Sequence, residues 1–199
     1  MALFRSLSSP EPLPPIVGEG IALRVPQMSD FPAWAELRET SRKFLVPWEP
    51  VWPADDLTRP AFRQRLRRYI EDVRTDQAYP FFLFRTEDNA LVGGLTLSNI
   101  RRGVAQSGSI GYWIGAPHIR RGYMTAAVRA LIPAAFDLLR HHRLEAACIP
   151  NNLASVRLLE KTGFRREGYA RSYLCINGTW QDHLLYARLQ SDPRDSDKR

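Results

Sequence analysis

Residues 114–126 read IGAPHIRRGYMTA. A strand-like run ends there, a tight arginine-rich loop follows, and a helix opens at Gly122. The first N–H groups of a helix have no intrahelical partner and lie at the positive end of its dipole, so such a start can bind phosphate. Gly122 lets a bulky anion approach the backbone. Thr125 could add a hydroxyl donor, and Arg120 and Arg121 could pair with further phosphates. Alone the pattern is weak, because a plain strand–turn–helix uses the same residues.

Residues 151–168 read NNLASVRLLEKTGFRREG. Asn151 or Asn152 caps a short helix, Ser155 lies in its first turns, and Val156 and Leu159 face a core. Gly163 ends the helix in the left-handed position. Capping and packing account for this stretch when it is taken by itself. Further candidate groups are Glu49, in the loop LVPWEPVWP at 45–53, and the pair Asp182 and His183 near the end of the chain. Adjacent strand residues face opposite sides, so at most one of that pair faces any one site. His183 reads rather as a structural histidine. Trp48 and Trp52 are either core or the wall of a binding groove.

These groups need a frame. Residues 21–25 alternate as a first strand. Ser29-Asp30 caps a helix through Phe31, Trp34 and Leu37. The three prolines of 45–53 argue for an ordered loop rather than a helix. Thr58 starts a second helix with Phe62, Leu66, Tyr69, Ile70 and Val73 on one face; Arg63, Arg65, Arg67 and Arg68 on the other read as a solvated face. Strands follow at 79–85, 91–99 and 109–115. A helix at 122–139 is interrupted by Pro133, which should kink it. A strand at 144–149, the capped helix, and two strands at 164–174 and 179–189 complete the order. Asn177-Gly178 turns the last pair, a strong hairpin signal. The order β-α-α-β-β-β-α-β-α-β-β is an α/β layout around one mixed sheet. Residues 1–19 and 191–199 read as tails around one domain at 20–190.

The 199 residues suit one domain. Hydrophobic residues at 44% and aromatics at 11% exclude disorder as the main state. No run approaches the roughly 18 apolar residues of a membrane helix. Cys148 and Cys175 cannot build a disulfide framework, and the start of the chain does not read as a signal peptide. A reducing cytoplasm is the expected compartment. The net charge is +7, and of 28 basic residues only Lys43, Lys161 and Lys198 are lysine. Arginine suits phosphates and planar anions. That fits an anionic cofactor or a ribonucleoprotein neighbour, and genome composition explains it as well.

Together the two opening stretches resemble the GNAT acetyltransferase superfamily. Its acetyl-CoA motif falls on 119–124, and its Asn-x-x-Ser and Glu-Lys-x-Gly-Phe motifs match Asn152, Ser155, Glu160, Lys161, Gly163 and Phe164. The phrases FLVPWEP (44–50), LSNIRRG (97–103), GYWIG (111–115) and EGYARSYLCINGTWQDHLLYARL (167–189) are similar to the RimJ/RimL branch, the ribosomal-protein-alanine N-acetyltransferases, with the RimJ type nearer. The likeness covers 20–189. The sequence departs from the motif at Ile119, Arg120 and Met124, where the wider family has Gln or Arg, Gly, and Gly or Ala.

The resemblance implies a GNAT fold, an α+β mixed sheet splayed between the strands at 109–115 and 144–149. It implies acetyl-CoA as cosubstrate and no metal. The pantetheine arm would pair with backbone around Trp113 and Ile114 and with Asn152. The pyrophosphate would sit on Arg120, Arg121, Gly122, Tyr123, Met124 and Thr125. Ser155 would be the general acid. The branch's carboxylate position falls on Leu174, so Glu49, or else Asp182 or His183, would be the base, and Glu49 could instead bind the acceptor's ammonium; Trp48, Trp52 and Asp182 are further acceptor contacts. An α-amine of pKa near 7.7–8.0 is partly neutral at pH 7, so a base is optional. The acceptor would be a protein N-terminus, an alanine-starting ribosomal protein, attacked directly in a ternary complex by a monomer or homodimer. Neither a membrane nor sequence-specific nucleic acid is implied. A small amine or antibiotic as acceptor, or a non-catalytic basic ribosome- or RNA-binding module, are the alternatives. The RNA-binding aromatic signatures are missing from the sequence.

Overall fold

The run YPFFLFR is apolar at six consecutive positions, the pattern of a strand covered on both faces. The computed structural model describes residues 14–193. Its strands are β1 (Ile16–Gly18), β2 (Ile21–Arg24), β3 (Tyr79–Arg85), β4 (Leu91–Arg101), β5 (Ser107–Ile114), β6 (Arg143–Cys148), β7 (Arg165–Ile176) and β8 (Thr179–Leu189). The α-helices are α1 (Phe31–Thr40), α2 (Arg42–Leu45), α3 (Arg59–Arg74), α4 (Tyr123–Pro133) and α5 (Leu153–Lys161). Among the described residues the strands form one sheet in the order β1-β2-β3-β4-β5-β6-β8-β7. Only β5 and β6 run parallel.

On β3, Tyr79, Phe81 and Leu83 join a core with α4 and α5, while Phe82 and Phe84 join a second core with Trp34 of α1 and Phe62 and Leu66 of α3. Helices therefore cover both faces, which explains the unbroken apolar run. Pro80 is tolerated within the sheet because β2 ends at the pair Arg24–Phe82 and asks no N–H of β3 there.

Local signals set most boundaries. Asn152 caps α5, its Oδ1 accepting from Ser155 N–H at 3.1 Å. Gly163, at φ 82°, closes the same helix. Its N–H donates to Glu160 O and that of Phe164 to Leu159 O, the paired bonds of a Schellman motif. Asn177 and Gly178 both have positive φ, as a type I′ hairpin turn requires.

The structure departs from the sequence expectation at several points. Ile16–Gly18, assigned to a tail, is an edge strand paired with β2; three residues are too few to show alternation. Residues 1–13 of that tail, and residues 194–199, lie outside the described residues. The proline-rich loop contains a 3₁₀ turn at Val46–Trp48, with Pro47 in the first turn where no N–H is needed. After Pro133 the helix continues as a π segment, Ala134–Leu138, in which Leu139 N–H reaches back five residues to Ala134 O at 3.0 Å. The ladder changes its register instead of simply kinking. On β7 the register slips between Ala170 and Leu174, and Ser172 takes a φ of 46°.

Candidate active site

β5 and β6 pair over three residues only, Ser107–Ser109 against Arg143–Glu145. Beyond them β5 stays with β4 as far as Ile114, and β6 stays with β8 as far as Cys148. The sheet opens there into a V whose inner edges carry unpaired backbone groups. Gly115 N–H donates to Val92 O at 2.9 Å. Antiparallel ladders alternate, so Trp113 spends its backbone on Gly94 of β4, while the N–H and C=O of Tyr112 and Ile114 turn into the V. Of the expected pair Trp113 and Ile114, Ile114 turns its backbone groups into the V and Trp113 does not; Tyr112 is the other residue that does. Trp113 contributes its side chain on the α1/α3 face. Gly94 makes room for it, since a Cβ there would lie 2.4 Å from the indole Nε1, while a Cβ on Gly93 would lie 2.4 Å from the Trp113 backbone oxygen.

At the wide end of the V a cavity of about 390 Å³ is lined by Trp48, Tyr112, Ile114, Met124, Asn152 and Ser155, among others. Beside it α4 begins. Gly122 is its N-cap at φ 82°, and Arg120 has a φ of 59°. The first helical bond runs from Ala126 N–H to Gly122 O, so the N–H groups of Tyr123, Met124 and Thr125 have no helical partner and no side chain caps them. A Cβ on Gly122 would meet nothing within 4 Å. Open space, three unpaired donors, and the exposed Arg120 and Arg121 suit an anion. Met124, where the motif has Gly or Ala, is buried and floors the cavity.

Ser155 Oγ lies 2.7 Å from the Tyr112 hydroxyl. Burial holds the Tyr112 phenol well above its ordinary pKa, so it is protonated. Burial also pushes the nearby Cys148 thiol up, against a hydrogen bond from Ser155 that lowers it. Asn152 spends its Oδ1 on the cap and keeps its amide N–H groups for the cavity.

Two grooves reach the V from elsewhere. One, about 400 Å³, is lined by Arg38, Glu49, Trp52, Thr96, Gly111 and Tyr112, among others. The other, about 590 Å³, is lined by Ser98, Arg101, Gly111, Glu145, Tyr173 and Leu174, among others. They meet at Gly111. Glu49, Tyr112 and Trp113 form the wall common to the first groove and the cavity.

Glu49 is not a free base. Arg38 Nη1 and Nη2 donate to its two oxygens at 2.8 and 2.6 Å, and Trp52 Nε1 donates at 2.7 Å. The Arg38 guanidinium also lies 4.0 Å from the Trp52 ring centroid. Trp52 thus lines the first groove, whereas Trp48 lines the cavity with Ser155. Asp182 does not join the site. It accepts from Ser172 N–H at 2.7 Å and from the Tyr169 hydroxyl, both on β7. Its bonding at the irregularity makes its role structural. His183 is buried, with Nδ1 2.9 Å from Gln181 O.

Sequence reasoning missed Tyr112 as a side chain, Arg38 as the clamp on Glu49, and Gly93-Gly94. The glycine pair inside a strand was a readable signal of close backbone approach.

The Acetyltransferase (GNAT) domain family matches residues 21–165. The chain is 37% identical over 175 residues to the probable N-acetyltransferase YjcK of Bacillus subtilis, covering 88% of this chain and 97% of the relative. It is 34% identical over 165 residues to the ribosomal protein uS5-alanine N-acetyltransferase of Escherichia coli, covering 82% and 85%. The structure of Mycobacterium smegmatis RimJ in complex with CoA-disulfide superimposes with a TM-score of 0.83 at 31% identity, covering 91% of this chain and 88% of that one.

Proposed function

The chain belongs to the GNAT acetyltransferase family of acetyl-CoA-dependent enzymes, and from that premise we propose that it acetylates the N-terminal α-amine of a protein, an alanine-starting ribosomal protein, by direct attack in a ternary complex. The observation that carries this reading is the V opened from two sides, with the Ser155–Tyr112 pair at its mouth. The E. coli relative named for uS5-alanine acetylation supports the choice of acceptor.

Acetyl-CoA supplies the acetyl group as a thioester. The N–H groups of Tyr123, Met124 and Thr125, with Arg120 and Arg121, hold its phosphates. The backbone of Tyr112 and Ile114 and the Asn152 amide pair with its amide-bearing arm. The amine arrives along the grooves that meet at Gly111, close to Tyr112. As the C–N bond forms and the C–S bond breaks, Ser155 gives its hydroxyl proton to the leaving sulfur and regains one through the Tyr112 hydroxyl, which takes up the proton the amine releases to groove water and so ends protonated. The amine's own proton leaves through groove water. Glu49, held by Arg38 and Trp52, presents negative charge to the incoming ammonium and positions it without abstracting a proton. Trp48 packs against the cavity side and Trp52 against the acceptor. Such an acceptor places the enzyme in the cytoplasm.

Initial rates with peptides beginning Ala, Ser, Met and Leu, beside spermidine and an aminoglycoside, test the proposal. The alanine and serine peptides are expected to give the highest kcat/KM. A polyamine or drug that outperforms every alanine peptide overturns it in favour of a small-amine acceptor.

A further inference from the structure

We propose that the outer face of α3 docks on the phosphate backbone of folded RNA; the choice of RNA rests on the ribosomal-protein acceptor proposed above. The helix buries Phe62 and Leu66. Arg59, Arg63 and Arg67 are exposed on another side, spaced by four residues. Each four-residue step advances about 6 Å along the axis with a small rotation, so the three guanidinium groups form one slanted row.

That row works against the helix carrying it. Like charges four residues apart destabilise a helix. Arg59 opens the helix at the positive end of its dipole, and no acidic residue lies in the first turn. On the same helix Arg65 pairs with Asp56 and Arg74 with Glu71, while among the described residues the exposed Arg68 beside the row has no carboxylate partner. Among the described residues no carboxylate pairs with Arg59, Arg63 or Arg67; Arg59 only leans towards the Phe31 ring at 5.6 Å. A run of uncompensated like charge on one helix face suits an anionic ligand.

The chemistry of the row specifies that ligand. Guanidinium forks match phosphate oxygens. The row contains no aromatic ring for a base to stack on, so it would grip the backbone of a folded RNA rather than read an unpaired strand. Its position agrees, because the inner edge of α3 lines the acceptor groove with Arg65 and Tyr69. RNA held on α3 would bring the N-terminus of a protein bound to that RNA to the groove.

The test is fluorescence anisotropy of a labelled RNA hairpin with the full chain, comparing wild type with a triple variant, Arg59→Gln, Arg63→Gln and Arg67→Gln. Glutamine keeps helix propensity, and acetylation of a free alanine peptide serves as the folding control. The triple variant is expected to bind the hairpin at least tenfold more weakly at low salt. Its slope of log K against log salt should be lower by about 2 to 3, at about 0.7–0.9 per phosphate contact. Peptide acetylation should stay unchanged. If the triple variant does not fold, Arg63→Gln alone reads the same slope with a loss near one. Equal affinity and slope in wild type and variant overturn the proposal. So does wild-type binding to polyglutamate or anionic vesicles as tight as to the hairpin, which would assign the row to another partner. Failure of wild type to acetylate any alanine peptide overturns the acceptor reading instead, while the anisotropy still decides the role of α3.

Discussion

The Tyr112 hydroxyl and Ser155 Oγ lie 2.7 Å apart across the mouth of the opened sheet. Tyr112 comes from β5 and Ser155 from the first turn of α5, so the hydrogen bond bridges the two arms of the V. Burial keeps the phenol protonated. The serine therefore has a donor behind it and open cavity before it, the arrangement of a proton-delivering hydroxyl.

Ser155→Ala should lower kcat by about 10- to 1,000-fold, with CoA affinity little changed. Tyr112→Phe should cost less. The double variant should fall short of the product of the two losses, since partners in one hydrogen-bond chain are not additive. Steady-state kinetics of the three variants decide it. An unchanged kcat in Ser155→Ala would reduce the pair to a structural bridge.

Gly122 separates backbone strain from charge. Its φ of 82° disfavours any L side chain, although a Cβ there meets nothing. Gly122→Ala should cost about 1 kcal/mol of stability and largely keep CoA binding. Gly122→Asp adds negative charge beside three unpaired N–H groups and should weaken CoA strongly. Calorimetric titration of CoA against both variants is the measurement, with equal affinities locating the phosphates elsewhere.

Glu49→Gln leaves Arg38, only 7% exposed and already lacking a partner at Nε, without its counter-charge. Removing one member of such a largely buried pair should cost roughly 2–4 kcal/mol, read as a lower melting temperature. KM for the peptide should rise while CoA affinity holds. A variant as stable as wild type would show that the clamp contributes nothing to the fold.

His141, 1% exposed, folds neutral: burial first and Arg102 next lower its pKa. Its unfolded value is about 6.5, so the unfolded chain binds more protons over the window below that. The stability it contributes is fully present above about pH 6.5 and is lost as pH falls through the lower folded value, by at most about 1.4 kcal/mol per unit. The melting temperature should drop between pH 7.5 and 5.5, and His141→Leu should flatten the drop. Parallel profiles would assign it to other groups.

What could be read from the sequence follows the range of the interactions. β3 and β8 were legible to the residue because alternation, continuous burial and the Asn177-Gly178 turn act locally. The ends of α5 were legible for the same reason. Ser155 was legible only through the family motif, since by itself it looks like any first-turn serine. The Arg38–Glu49 clamp was not legible: the partners are eleven residues apart on separate elements, and tertiary folding brings them together. Tyr112 read as an ordinary strand aromatic because its partner lies 43 residues away. The π register after Pro133 depends on where the freed carbonyls find new donors, which proline alone does not specify.

The irregularity in β7 bears on how the protein behaves when concentrated. β7 is an edge strand, twelve residues long and exposed over most of its length, with Tyr169, Tyr173 and Leu174 uncovered. A flat edge of that composition would template pairing with another chain and seed aggregates. The slip at Ser172, pinned from β8 by Asp182, breaks the row of donors and acceptors near its middle. Asp182 therefore acts as a guard on colloidal behaviour. Its replacement would leave catalysis nearly intact in dilute assays and shorten the time the enzyme stays dispersed at high concentration.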